Sequence, residues 1–370
     1  MENYTVTLPH YSAGPEAYEE IGRIAKFYGR RVAVIGGEKA LLKAGPALRR
    51  AIEHAGLEVL DWQVYGKNAT QAALDRITTN ARVLDADIIF GVGGGRAIDT
   101  VKTAADILGK PCFTFPTVAS NCAPVSAIAV IYKEDGTLDH YHFMQRCPEH
   151  CFIDTMVILD SPESLFWAGI GDALSKQMES ELASRGKHLS HTPLLGVQVG
   201  SICEAPLLEM GKTALEDFRE KKLTDAFLEC VLDIIVSTGI VSNLTMKLGS
   251  GGYYYNSSLA HLFYNAVMAL PAGVIPKAHE HLHGEVVSFG NLVLLAADGR
   301  DEALARMMDF NKSIGLPVKL ADLDITTDAQ VEAILDKCPS INEWKCVPYE
   351  MTRERYRGAI MKVDAMGRKL

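Results

Sequence analysis

The sequence predicts two domains: an α/β domain with a parallel sheet and helices on both faces, residues 1–161, then an all-helical domain, residues 162–370. Three observations predict this. Short apolar runs alternate with segments of helical spacing through the first third of the chain, which is the pattern of parallel strands joined by helices. After Ser161 strand signals become sparse and helical spacing runs nearly to the C-terminus. A length of 370 residues also suffices for two domains that each bury a core.

The elements follow in order. RRVAVIGG (30–37) is a strand ending in glycines, and KALLKAGPALRRAIEHAG (39–56) is a helix. LEVLDWQVYG (57–66) is the next strand, and QAALDRITTNARVLDA (71–86) reads as one helix. ADIIFGVGGG (86–95) is a buried strand running into a glycine turn, RAIDTVKTAADILG (96–109) is the following helix, and KPCFTFPT (110–117) is a strand. AIAVIYKEDGTLDHYHF (127–143) predicts a hairpin turning at Asp135 and Gly136. The segment 161–185 opens with Ser-Pro and Glu, a helix-start signature. Long helical patterns follow, such as 206–244 and the apolar VVSFGNLVLLAA (286–297).

An apolar fraction of 48% and a charged fraction of 22% are those of an ordinary globular protein. A net charge of -9 argues against nucleic acid or an anionic membrane as partner, but leaves room for a basic pocket and an anionic small substrate. The N-terminus lacks the pattern of a signal peptide. The longest apolar stretches are broken by Asn265, Pro271 or charges, so no membrane span is expected. Eight cysteines without a CxxC pair read as reduced thiols, which predicts a cytoplasmic protein. The expected partners are a small-molecule substrate and further copies of the chain in a homo-oligomer.

Two motifs carry chemistry. GVGGGRAID (91–99) places Gly93, Gly94 and Gly95 between a strand and a helix, where bare backbone and helix N–H groups can hold a pyrophosphate. Its spacing departs from GxGxxG, so a tight turn without a ligand is the competing reading. Thr117 and Ser120 lie after the next strand and can add hydroxyls. The second motif is Asp172, His261 and His283, one carboxylate and two imidazoles suited to a zinc-type ion with a coordination position left open for catalysis. Taken singly, Asp172 reads as a first-turn helix carboxylate and His261 as a core histidine. His279 and His281 read as polar loop residues, whereas His283 is favoured because Gly284, Glu285 and an apolar helix follow it.

Together these residues resemble the iron-containing alcohol dehydrogenase superfamily, in its glycerol dehydrogenase-like branch. The family pattern GVGGGKxxDTAK stands here as GVGGGRAIDTVK, and the resemblance spans nearly the whole chain. It implies the dehydroquinate synthase-like fold, with an N-terminal nucleotide-binding α/β domain, a C-terminal helical domain and an active site in the cleft between them. It implies cofactor contacts at Gly95, Arg96, Ala97, Ile98, Asp99, Thr117, Ser120, Ser126, Ile128 and Tyr132, and metal ligation by Asp172, His261 and His283. Zinc is the implied metal, although the ligand set also suits iron, manganese or nickel. Glu38, after the first strand of the nucleotide domain, resembles the acidic residue that receives ribose hydroxyls, which implies NAD. The neighbouring Lys39 leaves NADP as the alternative.

Three departures from the family pattern bear on substrate. Cys122, in SNCAP, stands where glycerol dehydrogenases resemble STDAP, so a carboxylate is replaced by a neutral thiol. Lys176 stands four residues after Asp172, where it can meet a substrate carboxylate or simply pair with Asp172. Tyr264 replaces the second histidine of HAxHN. Cys122 and Lys176 read together, with tail segments 314–325 and 345–364, make the likeness closer to the hydroxycarboxylate dehydrogenase subgroup. The implied reaction is hydride transfer between a nicotinamide cofactor and a 2-oxo or 2-hydroxy acid. The alternative is oxidation of glycerol to dihydroxyacetone.

Overall fold

The computed structural model describes residues 5–247 and 252–370. The chain forms two compact units, Met1–Glu163 with Asp217–Asn243, and Ser164–Glu216 with Leu244–Leu370.

The first unit is built on six parallel strands, β1 (Tyr11–Gly14), β2 (Arg31–Gly36), β3 (Glu58–Val64), β4 (Ile88–Gly93), β5 (Cys112–Pro116) and, after an antiparallel pair β6 (Ile128–Tyr132) and β7 (Leu138–Phe143), β8 (His150–Asp154). Their order is β1-β8-β5-β4-β2-β3. Successive side chains point to opposite faces of a strand. Val32, Val34, Phe90, Val92, Phe113 and Phe115 therefore pack on one face with the helix Glu38–His54. Ala33, Ile35, Ile89 and Cys112 pack on the other with the helices Gln71–Thr78 and Gly95–Ile107. The sheet is thus covered on both faces, as a parallel sheet with near-continuous apolar strands requires.

The strand order reverses direction between β2 and β4. The chain leaves β2 toward β3 on one side and leaves β4 toward β5 on the other, which opens a crevice at the C-terminal ends of β2 and β4. Gly36 pairs with Val92 at this point, and a Cβ on Gly36 would lie 2.4 Å from the Val92 carbonyl oxygen. The glycines ending both strands allow that approach.

Several elements differ from the sequence reading. The edge strand β1 and the five-residue β8 carry little apolar periodicity, and both belong to the main sheet. The predicted helix over 71–86 is two, Gln71–Thr78 and Ala81–Asp85, because the Asn80 side chain accepts the Arg82 N–H and starts a new helix. The pattern over 206–244 breaks where Lys221 adopts a left-handed conformation, φ 55°, and Thr224 caps the next helix. The segment Asp225–Thr245 is long and apolar enough to cross a membrane, a length the sequence reading did not credit. Since 67% of its apolar window is buried inside the protein, it is accounted for as a core helix.

Among its described residues the second unit is mainly helical, with a short ribbon of Met246–Lys247 against Tyr253–Tyr254. At its centre lies His283–Ala297, a mostly apolar helix that is buried except at His283, Glu285 and Ala296. It packs against Leu259–Met268 and Arg353–Gly367.

Candidate active site

Asp172 occupies the last turn of the helix Glu163–Ala173, rather than a first turn as the sequence suggested. His261 sits in the first turn of Leu259–Met268, and His283 is the first residue of His283–Ala297. Two glycines of the central helix bring these elements together. A Cβ on Gly284 would lie 1.8 Å from the Ala168 carbonyl oxygen, on the helix carrying Asp172. A Cβ on Gly290 would lie 2.3 Å from the Ala260 carbonyl oxygen, beside His261. Backbone touches backbone at both places, so the ligand-type side chains meet at the helix ends.

His283 Nε2 lies 3.1 Å from Asp172 Oδ1, and His261 Nε2 lies 3.6 Å from the same oxygen. One donor atom from each of the three residues falls within 4.8 Å of the others. Tetrahedral coordination with bonds of about 2.1 Å separates ligand atoms by roughly 3.4 Å, so the spacing fits a zinc-type ion. Asp172 Oδ1 is sealed from solvent, and two imidazole rings are the groups that face it. A buried carboxylate oxygen so faced fits a cation site. Burial pushes the Asp172 carboxyl up, but His283, then His261 and Lys176, outweigh it and hold the group below its ordinary range.

Glu179, on the helix Ser175–Ser184, was missed by sequence reasoning. Its carboxylate is fully buried and accepts hydrogen bonds from His261 Nδ1 at 2.6 Å, the His261 backbone N–H at 2.9 Å and the Ser258 N–H at 2.7 Å. Burial opposes the charge on both partners. The ion pair outweighs it, lowering Glu179 and raising His261 from their ordinary values. Tyr264 packs edge-on against the His283 ring, centroids 4.2 Å apart. His281 is held by Glu285 at 2.9 Å and Asp324 at 3.1 Å, and His279 is exposed, so neither joins the cluster. Lys176 is buried, and its ammonium donates to Asn256 Oδ1 at 2.9 Å. Leu174, between the helices of Asp172 and Lys176, keeps right-handed helical angles, and the Lys176 charge acts on the Asp172 carboxyl across it.

The glycine turn of the first unit stands in the crevice between β2 and β4. Gly93 has φ 147°, a conformation that glycine alone adopts readily, and Gly94 is the N-cap of Gly95–Ile107. The first N–H groups of that helix face the turn without intrahelical partners. Glu38 is exposed at the start of the helix after β2. Arg96 lies over the Tyr132 ring at 5.4 Å, and the Thr117 N–H bonds the Gly93 carbonyl at 3.1 Å. Ser120 and Cys122 follow on the same loop, with Cys122 Sγ 3.7 Å from Ser242 Oγ.

Other expected cofactor contacts, apart from the half-buried Ile128, are turned into the packing. Ile98 is wholly buried and Ala97 nearly so. Asp99 accepts the Val130 N–H at 3.1 Å and pairs with Lys102 at 3.0 Å. Ser126 is buried beside Lys102, and Ile128 begins β6, so side-chain contact at Asp99 or Ser126 would compete with existing bonds. Two positions with no role in the sequence reading hold this loop. Lys102 donates to the carbonyls of Ala123 at 2.7 Å and Ser126 at 3.1 Å. Asn243 bonds the Ala127 N–H at 2.8 Å and the Val125 carbonyl at 3.0 Å. The Asp-x-x-Lys spacing at 99–102 was a visible signal for the first, whereas nothing local marks the second.

The sequence profile of the iron-containing alcohol dehydrogenase family matches residues 9–155. The glycerol dehydrogenase of Pseudomonas putida is 30% identical over 373 residues, covering 96% of each chain. Hydroxycarboxylate dehydrogenase A of Escherichia coli strain K12 is 30% identical over 285 residues, 76% of each. The crystal structure of a probable glycerol dehydrogenase from Sinorhizobium meliloti 1021 superimposes with a TM-score of 0.84 at 27% identity, over the full length of both. On sequence and fold together, the chain belongs to the iron-containing alcohol dehydrogenase family, in its glycerol dehydrogenase-like branch, and is an oxidoreductase.

Proposed function

We propose that the chain is a metal-dependent dehydrogenase that oxidises a small polyol of the glycerol type to the ketone, with NAD as hydride acceptor. The observation that carries the chemistry is the convergence of Asp172, His261 and His283. Similarity to glycerol dehydrogenases over nearly the whole chain supports the polyol as substrate. Asp172, His261 and His283 would hold a divalent cation, zinc favoured, and the turn at Gly93, Gly94 and Gly95 would hold the pyrophosphate. Bound there, the cation supplies a Lewis acid for the substrate oxygen and the dinucleotide supplies the hydride acceptor. The chain's own residues bind and orient. Gly93 and Gly94 keep Cβ atoms away from the phosphates, and helix N–H groups offset their charge. Glu38 would accept hydrogen bonds from ribose hydroxyls and repel a 2'-phosphate, which favours NAD over NADP.

A second reading, reduction of a 2-oxo acid, draws on Cys122, whose neutral thiol removes a carboxylate that would repel an acid. The likeness to hydroxycarboxylate dehydrogenase A also supports it. It asks Lys176 to meet the substrate carboxylate, yet that ammonium is already committed to Asn256. The test is a panel of glycerol, dihydroxyacetone, 2-oxobutanoate and lactate with NAD(H) and NADP(H), on wild type and Lys176→Ala. The polyol reading predicts highest kcat/KM for the glycerol pair and similar losses on all substrates in the variant. A wild-type preference for the acids, lost selectively and by about tenfold or more in Lys176→Ala, would favour the second reading instead.

A further inference from the structure

We propose that Glu179 is a positioning residue for the metal centre, setting both the place and the tautomer of His261. The inference rests on the reading of Asp172, His261 and His283 as metal ligands. Glu179 divides its two oxygens between two tasks. Oε1 accepts the N–H groups of Ser258 and His261, at 2.7 and 2.9 Å. These are among the unpaired donors at the start of Leu259–Met268, where Ser258 provides no side-chain cap of its own. A carboxylate from a different helix thereby caps this one and interacts favourably with its dipole. Oε2 lies 2.6 Å from His261 Nδ1.

One consequence follows from donor and acceptor counting. An ionised carboxylate only accepts, so Nδ1 must carry the hydrogen. In the neutral ring Nε2 is then the bare nitrogen, and Nε2 is the atom 3.6 Å from Asp172 Oδ1. Nε2 is therefore the nitrogen available to ligate a cation beside that oxygen. The same carboxylate fixes the main chain of His261 and the orientation of its ring, and its charge makes the ring a more basic ligand. A simple helix cap would need only the bonds to backbone N–H groups. The 2.6 Å contact to the ring is what distinguishes positioning from capping.

Glu179→Gln separates the two roles. An amide has one accepting oxygen and one donating nitrogen, so it can satisfy the backbone N–H groups or the Nδ1–H, but not both. Zinc affinity is measured by chelator competition on metal-stripped protein, without reference to turnover. Ten- to a hundredfold weaker binding is expected in Glu179→Gln that circular dichroism shows to be folded when stripped. Affinity equal to wild type would overturn the proposal. Should the variant fail to fold, the zinc complex of the wild type decides by crystallography. Zinc on His261 Nε2 with Glu179 still on Nδ1 supports the proposal, and zinc on Nδ1 refutes it. Failure of the underlying metal reading looks different: the wild type itself then binds no zinc that is lost in Asp172→Ala.

Discussion

His150 opens a buried strand, and a charge there has no water to stabilise it. Its ring lies 4.4 Å from Phe152, centroid to centroid, and its Nε2 bonds Ser12 Oγ at 2.9 Å. Burial lowers its pKa to about 4, against about 6.5 in an unfolded chain. Between these values the unfolded state takes up a proton that the folded state refuses. Stability is therefore complete above about pH 6.5 and declines as the pH falls toward 4, by on the order of 3 kcal/mol. Denaturant unfolding across that window, wild type against His150→Gln, should show a shallower slope in the variant, and parallel curves would contradict this. At the same scale Asp172, His261 and His283, which converge in the fold, could be picked out by residue type and by the likeness of their contexts to the family pattern. Glu179 could not, because its partner lies 82 positions away and becomes visible only when two helices pack.

Helix contacts place the ligand set, and glycines make the contacts. Gly284→Ala would drive a methyl group into the Ala168 carbonyl, which backbone cannot avoid without separating the two helices. We expect a loss of about 1–3 kcal/mol in stability and weaker zinc binding, since the Asp172–His283 distance grows with the separation. Full metal affinity in this variant would show that the close approach is incidental to the site. The phosphate turn makes a complementary test. Gly94 has φ -89°, which any residue adopts, and an added Cβ meets only Val118, at 3.1 Å. Gly94→Ala, which adds only that Cβ, should therefore leave the fold intact while weakening NAD binding tenfold or more, measured by fluorescence titration of NADH. Unchanged NADH affinity would reject the turn as the pyrophosphate site. Strand periodicity and glycine punctuation made β2 to β5 and the β6–β7 hairpin readable. β1 and β8 were lost because four exposed-alternating residues and a His/Asp-bounded pentapeptide resemble loop.

For the whole molecule, the family was readable from motif order, and comparison with known proteins establishes it. The course of the chain between its two compact units was less so. Asp217–Asn243 returns to the first unit, and helical spacing carries no mark of which unit a helix joins. Its role shows only through long-range bonds, such as those from Asn243 to Val125 and Ala127. The substrate was the least legible feature, because Cys122 and Lys176 change charge without showing which other groups already occupy that charge. The central claim is that hydride transfer depends on a cation held by Asp172, His261 and His283. The most direct measurement strips the purified protein with chelator and titrates zinc back while recording bound metal and NAD-linked oxidation of glycerol. We predict one zinc per chain, with activity rising in step with it, and neither tight binding nor activity in His261→Ala. Full activity without metal, or tight stoichiometric zinc in that variant, would contradict the account.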